Sequence, residues 1–135
     1  MNRNSIIVFV CEHGAAKSVI AAAHFNKLAR KENLSLRAIA RGTQPDQELS
    51  PIAVTGLHAD GLNPTESLPQ KLSVADVESA DRVITFCELP AEYQKKAVVE
   101  CWDGVPPVSE KYEQARDAII AKLNQLLNNY SDNLT

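Results

Sequence analysis

The run Ser5 to Val10, SIIVFV, constrains this chain more than any other segment. It is apolar and rich in β-branched residues, with no alternation. A strand built from it must be buried on both faces, as in a parallel sheet covered by helices on either side. It ends at Cys11. From about Lys17 to Arg30 the residues favour a helix, with Ile20, Ala23 and Leu28 near one face and Lys27, Arg30 and Lys31 near solvent. Strand, short loop and helix make the first unit.

Leu34 to Arg41 sets Leu34, Leu36, Ala38 and Ala40 on one side of a second strand, closed by the turn residues Gly42 and Pro45. Ser50-Pro51 opens a helix over Pro51 to Asp60, and Gly61 stops it. A loop rich in proline, serine and asparagine follows. Ser73 to Ser79 reads as a short helix with a Ser-x-x-Asp start, Asp81 to Cys87 (DRVITFC) as a third buried strand, and Ala97 to Trp102 (AVVECW) as a short fourth. After a loop over Asp103 to Val108, Ser109 caps a long helix. In it Tyr112, Ala115, Ile119, Leu123, Leu126, Leu127 and Tyr130 recur at three- and four-residue spacing, and Ser131 to Thr135 are expected to fray. With no repeat, linker or low-complexity segment, this alternation predicts one doubly wound, three-layer α/β domain over residues 1–135. Its core is a four-stranded parallel sheet with helices on both faces.

Composition narrows the functions open to such a domain. A chain of 135 residues with 44% hydrophobic content can bury one core without staples. Three cysteines, an odd number with no CxxC pair, argue against a disulfide framework and against a structural zinc site, so no metal is expected. No run is long enough to span a membrane and the first residues lack signal-peptide character, which points to a cytoplasmic protein without a membrane partner. A net charge of -3, with no basic cluster beyond Lys95-Lys96, supplies no footprint for nucleic acid. Any anion must be held locally.

The place for that is the segment Cys11-Glu12-His13-Gly14-Ala15-Ala16-Lys17-Ser18. Ligand sites of open parallel sheets lie beyond the carboxyl ends of strands, where loops run into helix N-termini. There the amides of Glu12, His13, Gly14, Ala15, Ala16 and Lys17 can curl around an anion, and the helix adds its unpaired N–H groups and positive dipole end. Gly14 permits the curvature. The same field favours a thiolate at Cys11, the nucleophilic form of the side chain. Lys17 brings a positive charge to the oxyanion, and the Ser18 hydroxyl can donate to the sulfur. His13 either orients a substrate at the mouth or faces solvent, Glu12 is peripheral, and Trp102 either walls the site or joins the core. His24 and His58 read as surface or packing residues. Lys17-Ser18 does not complete a nucleotide-binding P-loop, since Ala16 and Cys11 stand where that motif needs glycine.

VFVCEHGAAKS resembles the strand-Cys-x5-Arg-Ser/Thr-helix loop shared by low-molecular-weight tyrosine phosphatases and thioredoxin-coupled arsenate reductases. The resemblance continues through Gly42-Thr43-Gln44-Pro45, Ser50-Pro51-Ile52-Ala53, Ala80 to Cys87 and Trp102. It implies the same fold, a Cys11 nucleophile and a phosphate, arsenate or phosphoester ligand. Two positions depart from it. Lys17 stands where the family has arginine, which keeps the charge but loses the planar fork. Val105-Pro106-Pro107 stands where family phosphatases carry the Asp-Pro whose aspartate protonates the leaving group, a contribution of about 10²- to 10⁴-fold. Asp103 is the best replacement in that loop.

The resemblance also gives Cys87 a role, because arsenate reductases of this fold use a second thiol at the matching position to release arsenite and leave a disulfide. Their third cysteine follows closely, whereas here the next is Cys101. The alternative is that Cys87 and Cys101 are buried small hydrophobes. Three functions therefore stand open: a thiolate enzyme reducing an arsenate-like oxyanion, a protein or small-molecule phosphatase, and a non-catalytic oxyanion binder. None needs a bound cofactor; the first needs an external thiol reductant such as thioredoxin.

Overall fold

The computed structural model describes residues 5–94, 98–109 and 111–133. Lys95, Lys96 and Ala97, the last expected at the head of the fourth strand, lie outside the described residues, as do Leu134 and Thr135 at the expected frayed end.

The elements run β1 (Ser5–Cys11), α1 (Lys17–Lys31), β2 (Leu36–Gly42), α2 (Pro51–Ala59), α3 (Val74–Ser79), β3 (Arg82–Thr85), α4 (Ala91–Gln94), β4 (Val99–Cys101) and α5 (Tyr112–Asn133). The four strands are parallel in the order β2-β1-β3-β4, the doubly wound α/β sheet expected. β1 is central because its whole length is apolar. Ile7 and Phe9 point into a core with Ile20, Phe25, Leu57, Ile119 and Leu123, while Val8 and Val10 point into a second core with Leu72, Val77, Val83 and Leu89. α1 and α5 thus cover one face and α3 the other, giving three layers.

Several boundaries differ from expectation. β3 ends at Thr85, two residues short of Cys87, because the Thr85 hydroxyl accepts the Cys87 amide at 3.1 Å and turns the chain out of the ladder. Ser109 does not cap α5, which begins at Tyr112 after a turn at Val108 and Ser109, and the helix continues past Ser131 to Asn133. α3 does start as its sequence signals. The Ser73 hydroxyl accepts the Asp76 amide at 3.1 Å and the Asp76 carboxylate accepts the Ser73 amide at 3.0 Å, a reciprocal capping box.

His24 is a packing residue with a consequence for stability. It is buried on α1 with Nε2 3.2 Å from Asp60 Oδ2, and Asp60 also accepts the Tyr112 hydroxyl at 2.7 Å and Arg116 Nη1 at 2.9 Å. Burial holds the His24 pKa below its ordinary 6.5, against the pull of the Asp60 charge and with small help from Lys27 and Arg116. An unfolded chain therefore binds a proton near pH 6.5 that the folded chain refuses. This share of stability is complete above that pH and is lost as pH falls toward the folded pKa. Urea denaturation is expected to show lower stability at pH 5.5 than at pH 7.5, with His24→Gln flattening the difference; an unchanged slope would contradict the assignment.

Candidate functional site

β1 delivers Cys11 to the point where the chain order reverses, with β2 on one side and β3 on the other, which is where open α/β sheets leave a crevice. Residues 12–16 then wrap into α1, and the carbonyls on the outside of the wrap are tied down. Cys11 O accepts the Thr43 amide at 3.3 Å, Glu12 O that of Gln44 at 2.7 Å and His13 O that of Asp46 at 3.0 Å. Ala15 O accepts the Ser50 amide at 3.0 Å and Ala16 O that of Ile20 at 2.9 Å. The amides of Glu12 to Lys17 donate no backbone–backbone bond among the described residues. Ala16 gives α1 no side-chain cap, and its first turn carries no acidic residue. Carbonyls tied down and amides left without backbone partners, at an uncapped helix N-terminus, are the makings of an anion nest.

The nest is rigid because two glycines meet. Gly14 has φ 60°, and a Cβ there would lie 2.9 Å from the Gly42 nitrogen. A Cβ on Gly42 would lie 2.7 Å from the Gly14 nitrogen. Gly42 cannot retreat, since its amide donates to Gln70 O at 2.8 Å and its carbonyl accepts the Leu72 amide at 2.9 Å. The Gly42 to Pro45 turn is therefore the mould for the loop.

Cys11 lies on the floor of a cavity of about 340 Å³ lined also by Glu12, His13, Ala15, Ala16, Lys17, Asp46, Ser50, Phe86, Cys87, Val108 and Ser109. Its side chain is buried, with Sγ 3.0 Å from the Oγ of fully buried Ser18. Either the thiol or the hydroxyl can be the donor in that contact. Of the residues expected in the site, Glu12, His13, Ala15, Ala16, Lys17 and Cys87 line this cavity with Cys11, Ser18 supports the sulfur, and Gly14 is turned away against Gly42.

Lys17 and Asp103 sit differently from expectation. The Lys17 ammonium donates to Val105 O at 2.9 Å, so it ties the start of α1 to the loop after β4 as well as lining the cavity. Asp103 is exposed and is not among the lining residues. Gly104, with φ 83°, follows it, and it is Val105 that turns inward, buried. Trp102 belongs to the core, its ring centroid 5.7 Å from that of Phe9 and 5.9 Å from that of Phe86.

Neither further cysteine is a buried hydrophobe. Cys87 is half-buried and Cys101 exposed. Cys87 Sγ lies 3.4 Å from the Thr85 hydroxyl, and burial pushes its thiol up, offset in part by that hydroxyl and reinforced by the nearby Cys11. It also lines a second cavity that reaches Cys101 along the same sheet edge.

Asp46 is the site residue that the sequence did not disclose. Its carboxylate lies 3.2 Å from His13 Nδ1, while Glu12 Oε2 lies 3.6 Å from His13 Nε2 at the same rim. The only sequence signal for it is its place directly after the Gly42 to Pro45 turn. Among the described residues no helix is long and apolar enough to cross a membrane.

Known proteins resemble this chain in fold and in sequence pattern. The model of one family, described as low molecular weight phosphotyrosine protein phosphatase, matches residues 6–105. No curated protein sequence matches the chain. Among solved structures, YfkJ from Bacillus subtilis superposes with a TM-score of 0.86 at 18% identity, covering 99% of each chain. The low molecular weight phosphotyrosine phosphatase VcLMWPTP-2 from Vibrio cholerae O395 gives 0.79 at 17% identity, over 96% of this chain and 98% of its own. A thioredoxin-dependent arsenate reductase from Corynebacterium glutamicum gives 0.70 at 21% identity, over 93% of this chain and 61% of its own.

Proposed function

From the premise that this chain belongs to the low molecular weight phosphotyrosine protein phosphatase family, a family of cysteine-dependent enzymes, we propose that Cys11 attacks a phosphate-like oxyanion held in the nest, with arsenate as the substrate fitted best. The observation that carries the reading is the loop itself: amides without backbone partners at an uncapped helix N-terminus, beside a sulfur 3.0 Å from Ser18 Oγ. Such donors act on charge developing on the equatorial oxygens without needing to reorganise.

The choice of arsenate rests on Cys87 opening into the same cavity as Cys11. Cys11 sulfur bonds to arsenic as hydroxide, protonated to water, departs. The Cys87 thiolate then attacks Cys11 sulfur, the sulfur–arsenic bond breaks with its electron pair on arsenic, and arsenite leaves. Arsenic gains two electrons and the two thiols lose them as a disulfide. An external dithiol, for which thioredoxin is the natural candidate, restores the thiols by exchange. The chain supplies no further cofactor in this scheme, and it is a cytoplasmic reaction because the disulfide must be reduced each turn.

A phosphatase is the second reading, favoured by the family match. The same nest takes a phosphoester, and water hydrolyses the Cys11 adduct in place of Cys87. One assay separates the two. Arsenate reduction with thioredoxin is expected to fall to background in Cys87→Ser, while turnover of p-nitrophenyl phosphate persists and depends on Cys11. Full arsenate turnover in Cys87→Ser, with no Cys11-Cys87 disulfide by mass spectrometry, would reject the reductase reading. Phosphate binding without turnover in either assay would leave only an oxyanion binder.

A further inference from the structure

We propose that His13 is the proton donor to the leaving oxygen and that Asp46 positions it, an inference that rests on Cys11 acting as the nucleophile. Sulfur attack on phosphorus or arsenic expels the oxygen in line, away from the cavity floor and toward its rim. Cys11 is at the floor, 9% exposed, and the His13 side chain is at the rim, 58% exposed.

The rim holds His13 from both backbone and side chain. Its carbonyl accepts the Asp46 amide at 3.0 Å, its Nδ1 lies 3.2 Å from Asp46 Oδ1, and the next residue, Gly14, is packed against Gly42. The Asp46 carboxylate 3.2 Å from Nδ1 orients the ring, and Nε2, with Glu12 Oε2 farther off at 3.6 Å, is the nitrogen that carries the transferable proton.

The other polar groups lining the cavity are less suited: the Ser109 hydroxyl and the Cys87 thiol, pushed up by burial, are weak acids, and the rest are engaged. The Lys17 ammonium is donating to Val105 O, Ser50 Oγ accepts the Ala53 amide, and Glu12 and Asp46 both face the imidazole. Asp103 lies outside the lining. An imidazole nitrogen can give a proton in one step and take one back in the next.

The steps balance. In the first, the Cys11 thiolate bonds to phosphorus, the phosphorus–oxygen bond breaks, and the His13 imidazolium proton passes to the departing oxygen. In the second, neutral His13 takes a proton from water as its oxygen attacks phosphorus, and Cys11 leaves as thiolate with inorganic phosphate as product.

The test compares kcat/KM for phenyl phosphate, whose leaving group needs a proton, with that for p-nitrophenyl phosphate, whose leaving group does not. His13→Gln is expected to lose about 10²-fold on phenyl phosphate and only a few-fold on p-nitrophenyl phosphate. Added imidazole should restore part of the phenyl phosphate activity of His13→Ala. Asp46→Asn should show the same substrate pattern at about tenfold, since the backbone bond to His13 survives the change. Thermal unfolding and inorganic phosphate binding report any loss of fold, which an exposed side chain should not cause. Equal losses on both substrates, no loss, or no imidazole rescue would overturn the proposal while Cys11-dependent turnover stands. Absence of Cys11-dependent turnover on either substrate would overturn the nucleophile reading beneath it as well.

Discussion

Replacing Gly42 with alanine is expected to cost the protein its oxyanion site, although Gly42 touches no substrate atom. The added Cβ would sit 2.7 Å from the Gly14 nitrogen, 2.8 Å from its Cα and 2.9 Å from the His13 carbonyl carbon, all of them backbone. No side chain can swing aside. Gly42 is pinned by Gln70 and Leu72 on its other side, so the strain falls on the loop from His13 to Gly14. In the proposed reading, moving the loop by several tenths of an ångström tilts its amides away from the anion. Misplacement on the scale of 1 Å costs about 10²-fold in rate, and forced overpacking costs about 1 to 3 kcal/mol in stability. Steady-state kinetics and thermal unfolding of Gly42→Ala should show both. Gly61 is the control: it is left-handed at φ 79° with open space around it, so Gly61→Ala should lose only about 1 kcal/mol and keep full turnover. Normal kinetics in Gly42→Ala would mean that the loop is not held by this contact.

Cys11→Ser is expected to separate binding from turnover more sharply than any other change. In the proposed reading the amides of Glu12 to Lys17 hold the anion, and the substitution leaves them and Ser18 in place. Inorganic phosphate should bind within a few-fold of the wild-type affinity, measured by calorimetry. Turnover should fall by about 10³-fold or more, because a serine hydroxyl is a far weaker nucleophile at neutral pH without a base to activate it. Lost binding together with lost turnover would point to the sulfur as part of the anion grip.

The difference between what was legible in the sequence and what was not follows from the range of the interactions. β1, α1 and the buried face of α5 could be read because apolar periodicity is written locally. Ile7 and Phe9 against one core and Val8 and Val10 against the other are the direct consequence of an unbroken apolar run. The Cys11 loop could be read because strand, glycine and helix start are contiguous. Asp46 could not, since its meeting with His13 depends on β2 pairing with β1 and on the turn after Gly42, a contact with no local pattern. Asp103 lies outside the cavity lining for the related reason that proximity along a loop says nothing about facing. Gly104 redirects the chain, and Val105 turns inward, its carbonyl taken by Lys17. The sequence expects Lys17 at the oxyanion, and the structure adds its bond across to the final loop. Ser109 looks like a helix cap, but the turn at Val108 and Ser109 delays α5 to Tyr112.

A nucleophilic Cys11 becomes covalently bonded through its sulfur to the substrate's central atom during turnover. Rapid quenching of the wild-type protein during turnover of p-nitrophenyl phosphate, followed by peptide mapping in the mass spectrometer, tests it most directly. A phosphoryl group is expected on the Cys11 sulfur, accumulating no later than the first turnover. Steady product release with no adduct on Cys11, or an adduct on any other residue, would contradict it.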